Sequence, residues 1–234
     1  MAEYNQAPDP GPALSIKPRP TVQGVATLLL VVAAAALFLG GAIQGLHFEA
    51  GIMVNQWILI LLPAVWYLKR YGMQGAEYTR LKPLKLKYIP ALLLLTVSAW
   101  IIIYFASSII LNVLMNYGYE PLEAFPPPDT FGRYLTFLFL IAVSPAVCEE
   151  VLFRGTIMPV AERQGVLPAL VFTSILFALM HMSYLNLSSM FFLGILIGIV
   201  VIKTGSLLAG ILYHFIHNSL AVTAMYLFEI YDME

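Results

Sequence analysis

Seven apolar stretches, at roughly 24–46, 51–68, 89–115, 134–153, 166–182, 188–202 and 206–228, dominate this chain and leave it few ways to fold. Runs of that length need a solvent other than water. Crossing about 30 Å of hydrocarbon at about 1.5 Å per residue takes roughly 20 mostly apolar residues. Composition agrees: 60 % of the 234 residues are hydrophobic and 11 % are charged, where soluble domains average about 45–50 % and 25 %. The expected fold is all-α, a polytopic transmembrane helical bundle with about seven spans (six to eight). Residues 1–22, polar and proline-rich, are expected to form a disordered tail. Residues 23–234 then make a single transmembrane domain, with its chemistry in 145–220.

Charge sets orientation. Lys69, Arg70, Arg80, Lys82, Lys85 and Lys87 follow the second run against one acid, Glu77. By the positive-inside rule that loop is cytoplasmic. The next loop carries Glu120, Glu123 and Asp129 against Arg133 and faces the other way. Lys17 and Arg19, then Arg163 and Lys203, fit the same alternation, which puts the N-terminus in the cytoplasm. A net charge of −1 offers no basic face to nucleic acid. Cys148, the only cysteine, excludes intrachain disulfides and CxxC sites. The partners expected are membrane lipid and a peptide or protein substrate at the membrane.

Three polar clusters interrupt the later runs. An ionisable residue within a span costs at least about 2.5–3.5 kcal/mol and usually marks function. The first cluster is SPAVCEEVLFRG. Glu150 and Arg154, at i and i+4, stack and can pair; Glu149 lies about 100° round the helix and stays free for chemistry. Pro145, four residues before Glu149, removes a backbone donor and frees the Ile141 carbonyl. The second cluster, FALMHMS, sets Phe177 and His181 on one face. The third, LYHFIHNS, sets His214 and Asn218 on one face, with His217 off it. Each cluster alone has a structural reading, as an ion pair or a helix–helix clasp. Together they supply a carboxylate, imidazoles and an amide, an inventory suited to amide hydrolysis: a carboxylate takes a proton from water, and imidazole and amide donors face the oxyanion. No GxSxG, GxGD or HExxH motif is present.

In this order the clusters resemble the three motifs of the CPBP family, the CAAX proteases and bacteriocin-processing enzymes also called Abi. The family pattern is EExxxR, FxxxH and HxxxN; this chain has EEVLFR, FALMH and HFIHN. The resemblance implies an intramembrane endopeptidase acting on a membrane-associated or prenylated-type substrate. It assigns water activation to Glu149 with His181, the oxyanion hole to His214 and Asn218, and support to Glu150 and Arg154. It leaves two chemistries open, a metal-free glutamate mechanism and a zinc site held by Glu149, His181 and His214, with the metal-free one preferred. It carries no role to His217. Short loops suit a prokaryotic plasma-membrane member. Two other readings stand beside the protease: a non-catalytic membrane protein for peptide binding or bacteriocin immunity, and a proton-coupled transporter.

One conflict arises from the span limits themselves. Glu149 in 134–153 and His181 in 166–182 would miss each other by roughly 15 Å in depth on straight helices. They meet only if residues 153–165 re-enter the membrane or the Pro145 kink shifts the depths.

Overall fold

The computed structural model describes residues 19–119, 127–183 and 186–231. The tail predicted over 1–22 lies outside the described residues as far as residue 18, and so do Glu120 and Glu123. Among the described residues every regular element is helical. Six helices are long and apolar enough to cross a membrane: α1 (Val22–Leu46), α2 (Phe48–Tyr71), α3 (Leu86–Asn116), α4 (Phe131–Gln164), α6 (Leu187–Thr204) and α7 (Leu207–Ile230). Between α4 and α6 runs the shorter apolar α5 (Val166–Met180). The all-α expectation of about seven spans therefore holds, with α5, about 22 Å long, as the incomplete one.

Local sequence sets the ends. Thr21 and Thr130 cap α1 and α4, each hydroxyl accepting a first-turn N–H. His47, with extended backbone, separates α1 from α2. Gly72, at φ 68°, ends α2 in the left-handed conformation that suits a glycine after a basic last turn, here Lys69 and Arg70. The outer helices present Leu30, Phe38, Leu94, Ile102, Phe105 and similar side chains outward. Such exposed apolar surface belongs against lipid.

α4 is the central helix. From Ser144 to Gly155 nearly every side chain on it is buried, because α2, α5 and α7 all pack on this stretch. Gly194 lets α6 approach α5: a Cβ there would lie 3.1 Å from the Ser174 Cα.

The basic segments share one end of the bundle. The Arg163 guanidinium donates to the Pro20 carbonyl at 2.7 Å. Arg80 pairs with Glu162 at 2.7 Å and accepts from the Leu207 N–H at 2.7 Å. The Ser206 hydroxyl donates to the Lys82 carbonyl at 2.6 Å. The start of α1, the loop after α2, the turn after α4 and the turn before α7 thus meet at one face, the grouping that charge alternation demands.

The expected span limits are corrected here. Residues 153–164 are neither a loop nor a re-entrant segment; they continue α4 to Gln164. The chain then reverses in one residue, Gly165, at φ 114° and ψ 149°, a conformation that side-chain-bearing residues rarely adopt. Glu149 lies sixteen residues before Gly165 and His181 sixteen after it. Each is about 24 Å along its helix from the shared turn, so the two reach the same depth. The roughly 15 Å mismatch came from ending the fourth span at residue 153. Arg154 and the charged ERQ at its end look like an interface in sequence, but Arg154 is fully buried in protein.

Candidate active site

Two helices, α5 and α7, bring their motif residues to those of α4. Widened, π-type turns occupy Val54–Leu61, Leu138–Val143 and Val151–Ile157, on both sides of the two glutamates and opposite them on α2. Such turns recur at functional sites because they re-aim the side chains that follow. Hydroxyls five residues on satisfy carbonyls in two of them: Ser144 donates to the Phe139 carbonyl at 3.0 Å and Thr156 to that of Val151 at 2.8 Å.

Glu150 and Arg154 form the buried pair expected from their i, i+4 spacing, 3.0 Å apart with both side chains fully buried. Arg154 also donates to the Gly194 carbonyl on α6 at 2.7 Å. The same Glu150 Oε1 lies 2.9 Å from His214 Nδ1. One carboxylate thus ties α4, α6 and α7 together.

Glu149 faces elsewhere, as its position round the helix requires. It is 8 % exposed. Its Oε1 accepts from the Gln56 amide of α2 at 2.9 Å, and its Oε2 is buried with no hydrogen-bond partner among the described residues. Beside this pair the Trp57 indole donates to Ser144 at 3.0 Å and stacks on Phe139, fixing α2 on α4.

His181 follows the last residue of α5, and its Nδ1 lies 2.8 Å from the Phe177 carbonyl. A carbonyl only accepts, so Nδ1 carries the proton and the neutral ring keeps a lone pair on Nε2. His214 Nδ1 is held by the Glu150 carboxylate, which leaves Nε2 facing away from it. Phe177, the other member of the FALMH motif, sits between them. Its ring centroid is 4.8 Å from that of His181 and 5.8 Å from that of His214, with the Arg154 guanidinium 4.7 Å away over the ring. The phenyl is an apolar spacer that positions both imidazoles relative to the ion pair.

Asn218 donates to the Ile141 carbonyl at 2.9 Å. This is the carbonyl freed by Pro145, and α7 supplies its donor. The amide NH2 has a second hydrogen, so one donor remains. His217 is buried, and its Nδ1 has no hydrogen-bond partner among the described residues. Among the described residues no group of three or more His, Cys, Asp and Glu side chains is gathered as a metal site. Both imidazoles turn Nδ1 to a protein acceptor, the Phe177 carbonyl and the Glu150 carboxylate, which leaves Nε2 of each free.

Gln56, on α2, is a member of this cluster that the motifs do not contain. Its signal was an Asn55–Gln56 pair inside an otherwise apolar run.

Fold and cluster define the class: a multi-pass helical membrane protein with carboxylates, imidazoles, an arginine and an amide buried in its centre. Residues 131–220 match the family model described as type II CAAX prenyl endopeptidase, Rce1-like, in agreement with the resemblance read from the three motifs. No curated protein and no solved structure matches the chain. The matched segment holds every motif residue, and the match supports intramembrane proteolysis as the general activity.

Proposed function

We propose that this chain is an intramembrane endopeptidase in which Glu149 activates water for attack on a peptide bond near a C-terminal CAAX-type sequence. The observation that supports it best is the unequal state of two adjacent carboxylates. Glu150 is neutralised by Arg154 and tied to His214, whereas among the described residues Glu149 has no cation within ion-pair distance and one unpartnered oxygen. A general base needs such an oxygen within reach of water.

In this reading water gives its proton to Glu149 Oε2 as it attacks the scissile carbonyl, with the Nε2 lone pair of His181 orienting it. The carbonyl oxygen takes up negative charge. His214, which as an imidazolium donates from both nitrogens, and the second N–H of Asn218 face that oxyanion. The proton held by Glu149 then passes to the leaving amine, and the C–N bond breaks. Side chains alone balance the reaction, so the reading is metal-free. The site is a membrane-embedded one, and the orientation proposed is N-terminus in the cytoplasm of a prokaryotic plasma membrane.

The test is cleavage by the purified protein of a peptide ending in a prenylated CAAX sequence, beside its unprenylated counterpart. Native protein is expected to cut it, and Glu149→Gln and His181→Ala to lose at least about 100-fold in turnover. Equal turnover by native and Glu149→Gln protein overturns the role of Glu149. Faster cleavage of the unprenylated peptide overturns the substrate class.

A further inference from the structure

Gln56 lies outside the matched segment, on α2, and belongs to none of the three motifs. Yet it is the only described residue whose side chain donates a hydrogen bond to Glu149. It is 9 % exposed, within a run whose other side chains are nearly all apolar. A buried amide in such a run is costly unless its polar atoms are satisfied. Here only half of it is: Nε2 donates to Glu149 Oε1, while Oε1 is buried without a partner. Glu149 shows the complementary half, with Oε1 occupied and Oε2 free. One amide–carboxylate hydrogen bond is thus flanked by two unused acceptors, one from each partner. A molecule that donates twice, as water does, is the group that satisfies both.

We propose that Gln56 is a positioning residue for hydrolysis. By binding Glu149 Oε1 it turns Oε2 toward the substrate, and its own Oε1 helps to hold the attacking water there. This rests on the reading of Glu149 as the base. The next residue, Trp57, makes a separate contact between the same helices, bonding Ser144 and stacking on Phe139. The N-terminal half of the chain therefore completes the site of the C-terminal half.

The alternative is a clasp that only holds α2 on α4. The two differ in what they do to turnover per folded molecule. The variants are Gln56→Met, which keeps length and volume without donor or acceptor, Gln56→Asn, which keeps the amide one methylene short, and Trp57→Phe, which removes a hydrogen bond between the same helices without touching Glu149. With the prenylated CAAX peptide, Gln56→Met is expected to lower kcat roughly 10- to 100-fold, the scale of a small misplacement of a catalytic group, with KM within about twofold. Gln56→Asn should fall between it and native protein. Trp57→Phe should lose thermal stability with kcat near native. Placed in a Glu149→Gln background, Gln56→Met should cost much less than it does in native protein, because the oxygen it aims is no longer a base.

Native kcat in Gln56→Met while Glu149→Gln is inactive overturns the inference and leaves the function standing. A loss from Gln56→Met that is as large in the Glu149→Gln background as in native protein also overturns it. Turnover retained by Glu149→Gln overturns both. Should Gln56→Met not fold, Gln56→Asn decides: native kcat with lowered stability marks a clasp, and lowered kcat with native KM marks positioning.

Discussion

The imidazole of His214 is held by Glu150, not Glu149: Nδ1 and Oε1 are 2.9 Å apart. A histidine that donates Nδ1–H to a carboxylate has its tautomer and ring orientation fixed, and it presents Nε2 to whatever lies beyond. The two adjacent glutamates therefore divide the work by direction round α4. One face builds the frame of Arg154, His214 and the Gly194 carbonyl. The other holds a carboxylate oxygen in reserve.

Asn218 and Pro145 are coupled through a single acceptor. Pro145 withholds the N–H that would bond the Ile141 carbonyl, and Asn218 supplies one from α7. Asn218→Ala should leave that carbonyl unpaired and cost about 1–3 kcal/mol of stability. Pro145→Ala offers a backbone donor again, so in that background Asn218→Ala should cost clearly less stability. Thermal unfolding in detergent of the four proteins of this cycle measures the coupling; additive losses refute it.

How much of this was legible in the sequence depends on which forces leave a local mark. The Glu150–Arg154 pair follows from helical spacing, and the orphaned Ile141 carbonyl from the proline. Their partners on other helices do not, since spacing along one helix says nothing about which neighbour faces it. The length of α4 was misread for a different reason. Hydropathy registers suitability for lipid, so a charged residue buried in protein, as Arg154 is, looks like the end of a span. Gln56 leaves no such mark, because two adjacent amides among apolar residues have no periodicity that says which of them faces a partner.

Topology is testable at the shared basic face. With Cys148 replaced by alanine, a single cysteine at position 84, in the loop after α2, should resist membrane-impermeant thiol reagents in intact cells. One at position 118, beyond the other end of α3, should react. The positive excess of the loop motivates the assignment. Labelling at 84 but not at 118 inverts the protein.

Exhaustive dialysis against a strong chelator should leave cleavage of the CAAX peptide unchanged. The motive is that among the described residues no group of three or more His, Cys, Asp and Glu side chains is gathered as a metal site, while the hydrolysis balances on side chains. Activity that is lost on dialysis and returns with zinc refutes the metal-free mechanism.

The two carboxylates should separate by stability as well as by activity. Glu149→Gln preserves shape and can still meet Gln56 through a flipped amide, so the variant should melt close to the native protein while losing turnover. Glu150→Gln strips charge from a pair whose side chains are both fully buried, and Arg154 is left uncompensated. Breaking such a pair from one side costs about 3–5 kcal/mol, and here it also weakens the hold on His214. Replacing the pair together, as Glu150→Gln with Arg154→Met, removes the stranded charge and should recover part of the stability. Activity should not return, because His214 still lacks its charged partner. Thermal melting in detergent and peptide cleavage, measured on all three variants, give the comparison. A Glu149→Gln protein that unfolds beside a robust Glu150→Gln protein would reverse the roles of the two residues.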